Sequence, residues 1–286
     1  MVSTLEHTSI HTNGIDLHVV LAGPLTGEAV ILLHGFPEFW FGWIRQIEAL
    51  AEQGYRVIAP DQRGYNLSSV PGRVEDYKLD MLTADMLGLM DHFGYQQVFL
   101  VGHDWGAAVA WNLAMCYPER IRKLAILNVP HTAVMLRFLT HSPRQMLKSW
   151  YIAFFQIPGL ADWLLGLGNY AGVLRMLKIS ALPTTFSADE LEEYRQAYIH
   201  SRGLTGMINW YRALARFRPT APQSIRLRMP VLILWGKQDI ALSAEMAEAS
   251  LKLCDQGKLV FFEQASHWLQ HDQAPAVNQH LTEFFG

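Results

Sequence analysis

Cysteine is scarce in this sequence, with Cys116 and Cys254 as the two that occur among 286 residues. This pair forms neither a metal-binding spacing nor the disulfide framework of a small secreted domain. The sequence also has no uninterrupted apolar run of ~20 residues, the length that crosses a bilayer. Residues 1–14 have polar residues throughout and lack the apolar core of a signal peptide. The sequence therefore predicts a protein of the reducing cytoplasm with no membrane partner.

Charge of one sign is also in short supply, since the formal net charge is -3 at pH 7. This balance is too small to indicate a nucleic-acid-binding surface. Half of the residues are hydrophobic and 12% are aromatic, so a sizeable core is expected. The length fits either one large α/β domain or a core with an inserted lid.

Strand and helix patterns alternate along the first 130 residues. Apolar strand-like runs and helical patterns follow one another at 29–33, 39–52, 56–60, 76–93, 98–101, 107–114 and 124–128. Asn13 and Gly14 separate two alternating stretches and predict a hairpin near the start. Alternation of this kind indicates a parallel sheet covered by helices on both faces.

The pattern changes between residues 131 and 219. This segment has no strand-like run, and its aromatic, Met and Leu side chains recur at helical spacing. It predicts a helical cap (lid) inserted over the carboxyl ends of the strands. We therefore expect an α/β fold class, a mostly parallel sheet of about eight strands flanked by helices. Its core domain is expected to comprise residues 1–130 and 220–286, and its cap domain residues 131–219.

The segment 102–106 reads Gly-His-Asp-Trp-Gly and joins a buried strand to a helix. Gly102 and Gly106 permit a sharp turn there, because side chains at these positions would collide with the backbone. Asp104 at its centre is a candidate nucleophile, since a carboxylate with pKa near ~4 is already ionised at neutral pH. Carboxylate attack on an ester or amide would give an unfavourable anhydride, whereas attack on a saturated carbon with a leaving group gives an ordinary ester. The electrophile is therefore expected to be an epoxide or an alkyl halide.

Hydrolysis of such an enzyme ester requires a base and an oxyanion hole. Asp239 and His267 each follow a buried strand, on loops where open α/β sheets place their sites. Alone, Asp239 fits a turn or helix cap, and His267 is one of twelve histidines. Together with Asp104 they follow the nucleophile–acid–histidine order of α/β-hydrolases. The backbone N–H groups of Phe36 and Trp105 are expected to form the oxyanion hole.

The chain resembles a soluble epoxide hydrolase of the α/β-hydrolase superfamily, of the bacterial type, over essentially its whole length. The resemblance rests on residues 34–40 (His-Gly-Phe-Pro-Glu-Phe-Trp), 61–65 (Asp-Gln-Arg-Gly-Tyr), 102–106 and 266–268 (Ser-His-Trp). Two cap motifs are more specific, with Tyr151 seven residues before a Pro-Gly pair and Tyr211 inside an Asn-Trp-Tyr-Arg segment. Separately, Tyr151 and Tyr211 fit packing roles equally well. The resemblance implies that as a pair they hold and protonate the epoxide oxygen.

The resemblance further implies that a small apolar aryl or alkyl epoxide and water react to give a vicinal diol. His267 would activate the water and Asp239 would orient His267, with neither a metal nor an organic cofactor required. The aromatic cap predicts an apolar pocket, and its candidate lining residues are Phe36, Trp105, Phe155 and Trp268. The natural substrate, the selectivity and the choice between monomer and homodimer stay open.

Two other functions stay open at this point. A haloalkane dehalogenase would share the nucleophile and the histidine, with the indoles of Trp105 and Trp150 as halide donors. Phe36 offers no side-chain donor for that reaction, however, and the tyrosine pair would be idle. A non-catalytic ligand receptor would keep the pocket but lose the chemistry, yet every residue that the chemistry requires is present.

Overall fold

The fold is built around one eight-stranded sheet, seen in a computed structural model that describes residues 4–286. Residues 1–3 belong to the predicted core domain and to the amino-terminal stretch analysed above, and they lie outside the described residues. The strands are β1 (Glu6–Thr12), β2 (Ile15–Ala22), β3 (Ala29–Leu33), β4 (Arg56–Pro60), β5 (Val98–His103), β6 (Ile121–Leu127), β7 (Leu227–Gly236) and β8 (Cys254–Phe262). Their spatial order is β1-β2-β4-β3-β5-β6-β7-β8. The β1–β2 and β2–β4 pairs are antiparallel and the other neighbours are parallel, which confirms the expected fold class.

Helices cover both faces of this sheet and form the segment above it. They are α1 (Ile44–Glu52), α2 (Leu79–His92), α3 (Trp105–Cys116), α4 (Thr132–His141), α5 (Pro143–Lys148), α6 (Trp150–Phe154), α7 (Leu160–Ser180), α8 (Ala188–His200), α9 (Thr205–Arg216), α10 (Glu245–Leu251), α11 (Leu269–Asp272) and α12 (Ala274–Phe285). Helices α4 to α9 all lie between β6 and β7, in the segment where the sequence predicts the cap. The exact domain limits stay a prediction.

Two helices differ from the sequence-based expectation. The helical stretch expected from residue 39 begins as a short 3-10 turn, Trp40–Trp43, before α1. Helix α7 is two helical pieces, because residues 167–170 leave the helical backbone and Gly168 has φ +60°. A left-handed residue cannot continue a right-handed helix, so the chain bends at this point.

The first hairpin and the sheet core follow local rules. Asn13 and Gly14 have φ of 49° and 75°, the left-handed pair that a tight hairpin turn requires. Along β3, Ile31 and Leu32 are both fully buried but belong to different apolar clusters, one on each face of the sheet. Side chains of a strand alternate between faces, so β3 is buried on both sides, as are its parallel neighbours β4 and β5. The loops at the carboxyl ends of β3, β5, β6, β7 and β8 therefore meet at one edge, below the cap.

None of the helices within residues 4–286 combines the length and apolar character needed to cross a bilayer.

Candidate active site

Asp104 lies at the sharp turn between β5 and α3. Its backbone has φ 49° and ψ -123°, which is uncommon for a residue with a side chain and typical of strained functional positions. A Cβ atom added to Gly102 would lie 2.6 Å from the Ala107 Cα, and one added to Gly106 would overlap the Leu33 carbonyl. The turn therefore requires glycine on both sides of Asp104, as the sequence predicts.

The structure brings the three predicted triad residues together. His267 Nδ1 lies 2.7 Å from Asp239 Oδ2, and His267 Nε2 lies 3.5 Å from Asp104 Oδ2. Asp239 and His267 are buried, whereas the Asp104 side chain is 17% exposed. The imidazole thus stands between two carboxylates, with its Nε2 directed towards Asp104.

Asp239 is held by four partners. Its Oδ2 accepts from Asn128 Nδ2 at 2.9 Å, besides the contact with His267. Its Oδ1 accepts from the backbone N–H groups of Ala241 and Leu242 at 2.7 and 2.8 Å. Burial raises the pKa of Asp239, but the charge and hydrogen bond of His267 and the other donors outweigh it and lower the pKa. Asp239 is therefore an ionised and fixed partner for the imidazole.

Sequence reasoning missed Asn128, which the predicted strand included only as its last residue. Asn128 has φ 53°, and its Oδ1 accepts from the Gly236 N–H at 3.0 Å. It therefore ties the end of β6 to the end of β7 while it donates to Asp239. Its position at the carboxyl end of a strand was the available signal.

The charges of the site shift the pKa of His267 and Asp104 in opposite directions. Burial disfavours the imidazolium, but the carboxylates of Asp239 and Asp104 raise the pKa of His267 to about 10. Burial likewise opposes ionisation of Asp104, yet the hydrogen bond and charge of His267 lower its pKa. At neutral pH the resting site therefore contains an imidazolium between two ionised carboxylates.

One of the two predicted oxyanion-hole donors is in place. The Phe36 N–H donates to Asp104 Oδ1 at 2.7 Å. The Trp105 N–H makes no hydrogen bond with this carboxylate among the described residues, so its role stays a prediction. His34 fixes the Phe36 loop, because its Nε2 accepts from the Gln62 N–H at 3.0 Å and its Nδ1 donates to the Gly35 carbonyl at 3.1 Å.

The two predicted tyrosines lie together in the cap, beside the nucleophile. The ring centroids of Tyr151 and Tyr211 are 6.0 Å apart, and Tyr211 packs 4.9 Å from Trp105 at the start of α3. Burial and the Asp104 charge raise the pKa of both phenols, so both keep their protons. The Trp105 indole N–H donates to the Tyr211 oxygen, but within residues 4–286 no side chain or backbone group accepts a hydrogen bond from either phenol. Both hydroxyl groups are available to donate to a ligand.

The candidate pocket residues fall into two places. Phe36 and Phe155 pack against Tyr211 with centroids 5.4 and 4.7 Å away, so they belong to the aromatic cluster around the nucleophile. Trp268 instead lies 5.1 Å from the His267 ring, and its indole N–H donates to Ser180 Oγ at 3.0 Å. The assignment of these residues as pocket lining stays a prediction.

A second buried carboxylate, Glu38, lies next to the triad and was not singled out from the sequence. Its oxygens accept from Tyr194 Oη at 2.7 Å and Gln270 Nε2 at 2.9 Å, and lie 2.7 Å from His271 Nε2. Glu38 also lies 3.2 Å from His103 Nδ1, and His103 Nε2 donates to the backbone carbonyl of the triad histidine. Burial opposes ionisation of Glu38, but the neighbouring imidazoles hold its pKa well below the usual range. Its place in the 34–40 motif was the signal that could have found it.

No cluster of three or more His, Cys, Asp or Glu side chains able to hold a metal ion occurs in the described part of the chain.

Comparison with known proteins identifies the family. The α/β-hydrolase fold family matches residues 28–274. The AB hydrolase superfamily protein YfhM of Bacillus subtilis is 42% identical, with 96% of each chain covered. Epoxide hydrolase A of Mycobacterium tuberculosis is 35% identical, with 96% of this chain and 95% of that protein covered.

Solved structures agree with these sequence matches. A mutant epoxide hydrolase from Bacillus megaterium superposes with a TM-score of 0.89 at 30% identity, covering 97% of this chain and 99% of that one. Epoxide Hydrolase A from Mycobacterium thermoresistibile gives a TM-score of 0.85 at 33% identity, with 98% of each chain covered. With the buried carboxylate–histidine–carboxylate site beneath a tyrosine pair, these matches establish that the chain belongs to the epoxide hydrolases of the α/β-hydrolase family.

Proposed function

We propose that this enzyme converts small apolar epoxides and water to vicinal diols through a covalent ester on Asp104. The observation that carries the proposal is the pair of phenols, Tyr151 and Tyr211, whose hydroxyl protons have no protein acceptor in the described residues and which lie beside the ionised carboxylate of Asp104. This arrangement supplies a nucleophile for the epoxide carbon and two donors for the epoxide oxygen.

In the first step Asp104 Oδ2 attacks an epoxide carbon and the carbon–oxygen bond of the ring breaks. The bonding electron pair moves to the epoxide oxygen, which takes a proton from Tyr151 or Tyr211. Raised phenol pKa values keep these protons in place until negative charge develops on that oxygen. Donors aimed at the developing charge act most strongly where water is excluded.

In the second step water hydrolyses the ester. His267 takes a proton from the water, whose oxygen attacks the ester carbonyl carbon. The ester C–O bond then breaks and His267 returns this proton to the leaving oxygen, which completes the diol. The new Asp104 carboxyl group passes its remaining proton to His267 and restores the resting pair. The Phe36 N–H already donates to Asp104 Oδ1. During ester hydrolysis this donor stabilises the negative charge that develops on the same oxygen. Esterification itself prepares the base, because it removes the Asp104 charge that raises the pKa of His267. The resting imidazolium then passes its proton, through intervening water, to the tyrosinate that the first step leaves, and the neutral imidazole can accept a proton from the attacking water.

We also propose that the enzyme works in the reducing cytoplasm, which its two free cysteines support. Protease protection in intact and permeabilised source cells tests this placement. Degradation by external protease in intact cells would contradict it.

The test of the activity is diol formation from styrene oxide, followed for the wild type and the Tyr151→Phe/Tyr211→Phe double variant. Tyr170→Phe, which removes a phenol elsewhere in the cap, is the matched control. We expect diol from the wild type and the control, and a loss of roughly 100-fold or more in the double variant. Bromide released from bromobutane without diol formation would assign the site to dehalogenation, and retained activity in the double variant would exclude phenolic catalysis.

A further inference from the structure

The outer side of the cap carries an apolar surface that the active site does not use. In the first turns of α7, Leu160, Trp163, Leu164 and Leu167 are all exposed, and Trp163 is 61% accessible. Their i, i+3, i+4 and i+7 spacing places them on one side of the helix. A surface helix of a globular protein usually turns such a stripe towards the core. Here the stripe faces outwards.

Two further exposed apolar side chains come shortly before α7 in the chain. Trp150 of α6 is 65% exposed and Ile157, in the turn before α7, is 46% exposed. With a side chain of ~200 Å² each, Trp150 and Trp163 together present roughly 250 Å² of mostly apolar surface. The largest apolar patch on a typical monomer is about 300–600 Å² and is often functional. We call Trp150, Ile157 and the four α7 residues (Leu160, Trp163, Leu164 and Leu167) the outer cap face.

This region also differs from the rest of the chain in its net charge. Residues 131–186 contain five Lys or Arg residues and one acidic residue, Asp162, in a chain whose net charge is -3. The Asp162 carboxylate is already engaged, since it accepts from Arg212 Nη2 and Thr205 Oγ1 at 2.6 Å each. Over the whole cap segment, residues 131–219, there are ten Lys or Arg residues and five Asp or Glu residues, so the cap segment is basic.

Exposed apolar side chains and a cation lie together at a groove of about 590 Å³. It lies between α7 and the α8–α9 connection, and its lining includes Trp163, Leu167 and Arg202. Arg202 is exposed, and in the described part of the chain its guanidinium has neither a salt bridge nor a hydrogen bond. The groove is of mixed character, since its lining also includes Asp162, whose carboxylate is already paired. The unpaired Arg202 cation next to Trp163 and Leu167 matches the anionic headgroup and the acyl chain of a phospholipid.

We propose that the outer cap face docks on an anionic phospholipid membrane. Tryptophan favours the boundary between headgroups and acyl chains, where the apolar side of an interfacial helix inserts and its cations meet phosphate. A second copy is a poorer partner, because packing through the same face would bring the unpaired Arg202 cations of both copies into one interface. The proposal replaces the expectation of no membrane partner, which rested on the lack of a spanning segment. Peripheral docking requires no such segment.

The test is co-sedimentation of the full chain with vesicles of phosphatidylcholine alone and of an equal mixture with phosphatidylglycerol. We expect binding to the mixed vesicles that weakens as salt is raised. Trp163→Ser should weaken it roughly tenfold, and Arg202→Gln about fivefold. The controls are Leu25→Ser and Arg228→Gln, which change an exposed apolar residue and an exposed cation. Leu25 precedes β3 and Arg228 lies near the start of β7, so both are at the end of the parallel strands opposite the cap. These two variants should bind like the wild type.

Failure to bind mixed vesicles, or equal binding to both kinds, would overturn the proposal. Light scattering after gel filtration gives a further outcome. A dimer that Trp163→Ser dissociates, without vesicle binding, would assign the face to a second copy of the chain and overturn membrane docking. Because none of these readouts measures turnover, they test the surface independently of the proposed activity.

Discussion

Neutralising Asp104 should lower the pKa of His267, and this is the step that turns His267 into a base during turnover. Asp104→Asn imitates the loss of charge that accompanies ester formation. Its side-chain oxygen can still accept from the Phe36 N–H, and asparagine tolerates the left-handed backbone at this position. The variant should therefore change the charge of the site while it leaves the fold intact.

The size of the effect follows from the distance between the two groups. His267 Nε2 and Asp104 Oδ2 are 3.5 Å apart; at this separation Coulomb's law gives about 5 kcal/mol with an effective dielectric constant of about 20, and about 1 kcal/mol in water. One pKa unit corresponds to about 1.4 kcal/mol. The pKa of His267, about 10 in the resting enzyme, should thus fall by roughly 1 to 3.5 pH units in Asp104→Asn.

Nuclear magnetic resonance titration of the imidazole nitrogens measures this directly, with His267→Gln to assign the resonance. Asp16→Asn removes an exposed carboxylate from the amino-terminal hairpin and serves as the control. It should leave the titration of His267 unchanged. An equal titration midpoint in the wild type and Asp104→Asn would refute the idea that the nucleophile's charge controls the base.

Three further predictions follow from buried charges. Asp239→Asn removes the charge that orients His267, so ester hydrolysis should slow by at least ~100-fold while ester formation slows much less. Single-turnover kinetics measures the two steps separately, and equal slowing of both would argue against this role. Asp85→Ala leaves Arg63, 3% exposed, without its carboxylate and should cost roughly 3–5 kcal/mol of unfolding free energy. Asp255→Ala, which breaks the exposed pair with Arg226, should cost under about 1 kcal/mol, and similar losses in both variants by denaturant unfolding would contradict the burial argument. Because the folded-state pKa of Glu38 is lowered, its ionised form adds stability above the unfolded pKa of about 4.3, and that contribution is lost as pH falls. Stability should therefore fall more steeply with acidification in the wild type than in Glu38→Gln, and parallel profiles would exclude this role.

The parts of the fold that the sequence predicts are those set by neighbouring residues. The turn at Asp104 needs glycines two positions away on each side, and the hairpin needs the left-handed pair Asn13 and Gly14. Both requirements are local, so both can be read from short motifs. The order of strands and helices likewise follows from hydrophobic periodicity, which also indicates the strand ends where the triad residues lie.

The parts that the sequence does not reveal depend on contacts between distant residues. Asn128 donates to Asp239 from 111 residues away, and Gln270 donates to Glu38 across 232 residues. Periodicity tells which strand end carries a polar side chain, but not which oxygen it will reach. The bend in α7 is a similar case, because an isolated glycine such as Gly168 is compatible with either a continuous or a broken helix.

The central claim, a covalent ester on Asp104, is tested most directly by one turnover of styrene oxide in water that carries heavy oxygen, with enzyme in excess. If water attacks the carbonyl carbon of an Asp104 ester, the diol keeps an ordinary oxygen from the carboxylate. The heavy oxygen should then appear in the peptide that contains Asp104. Heavy oxygen in the diol of the first turnover, with an unlabelled peptide, would show direct attack of water on the epoxide and contradict the account.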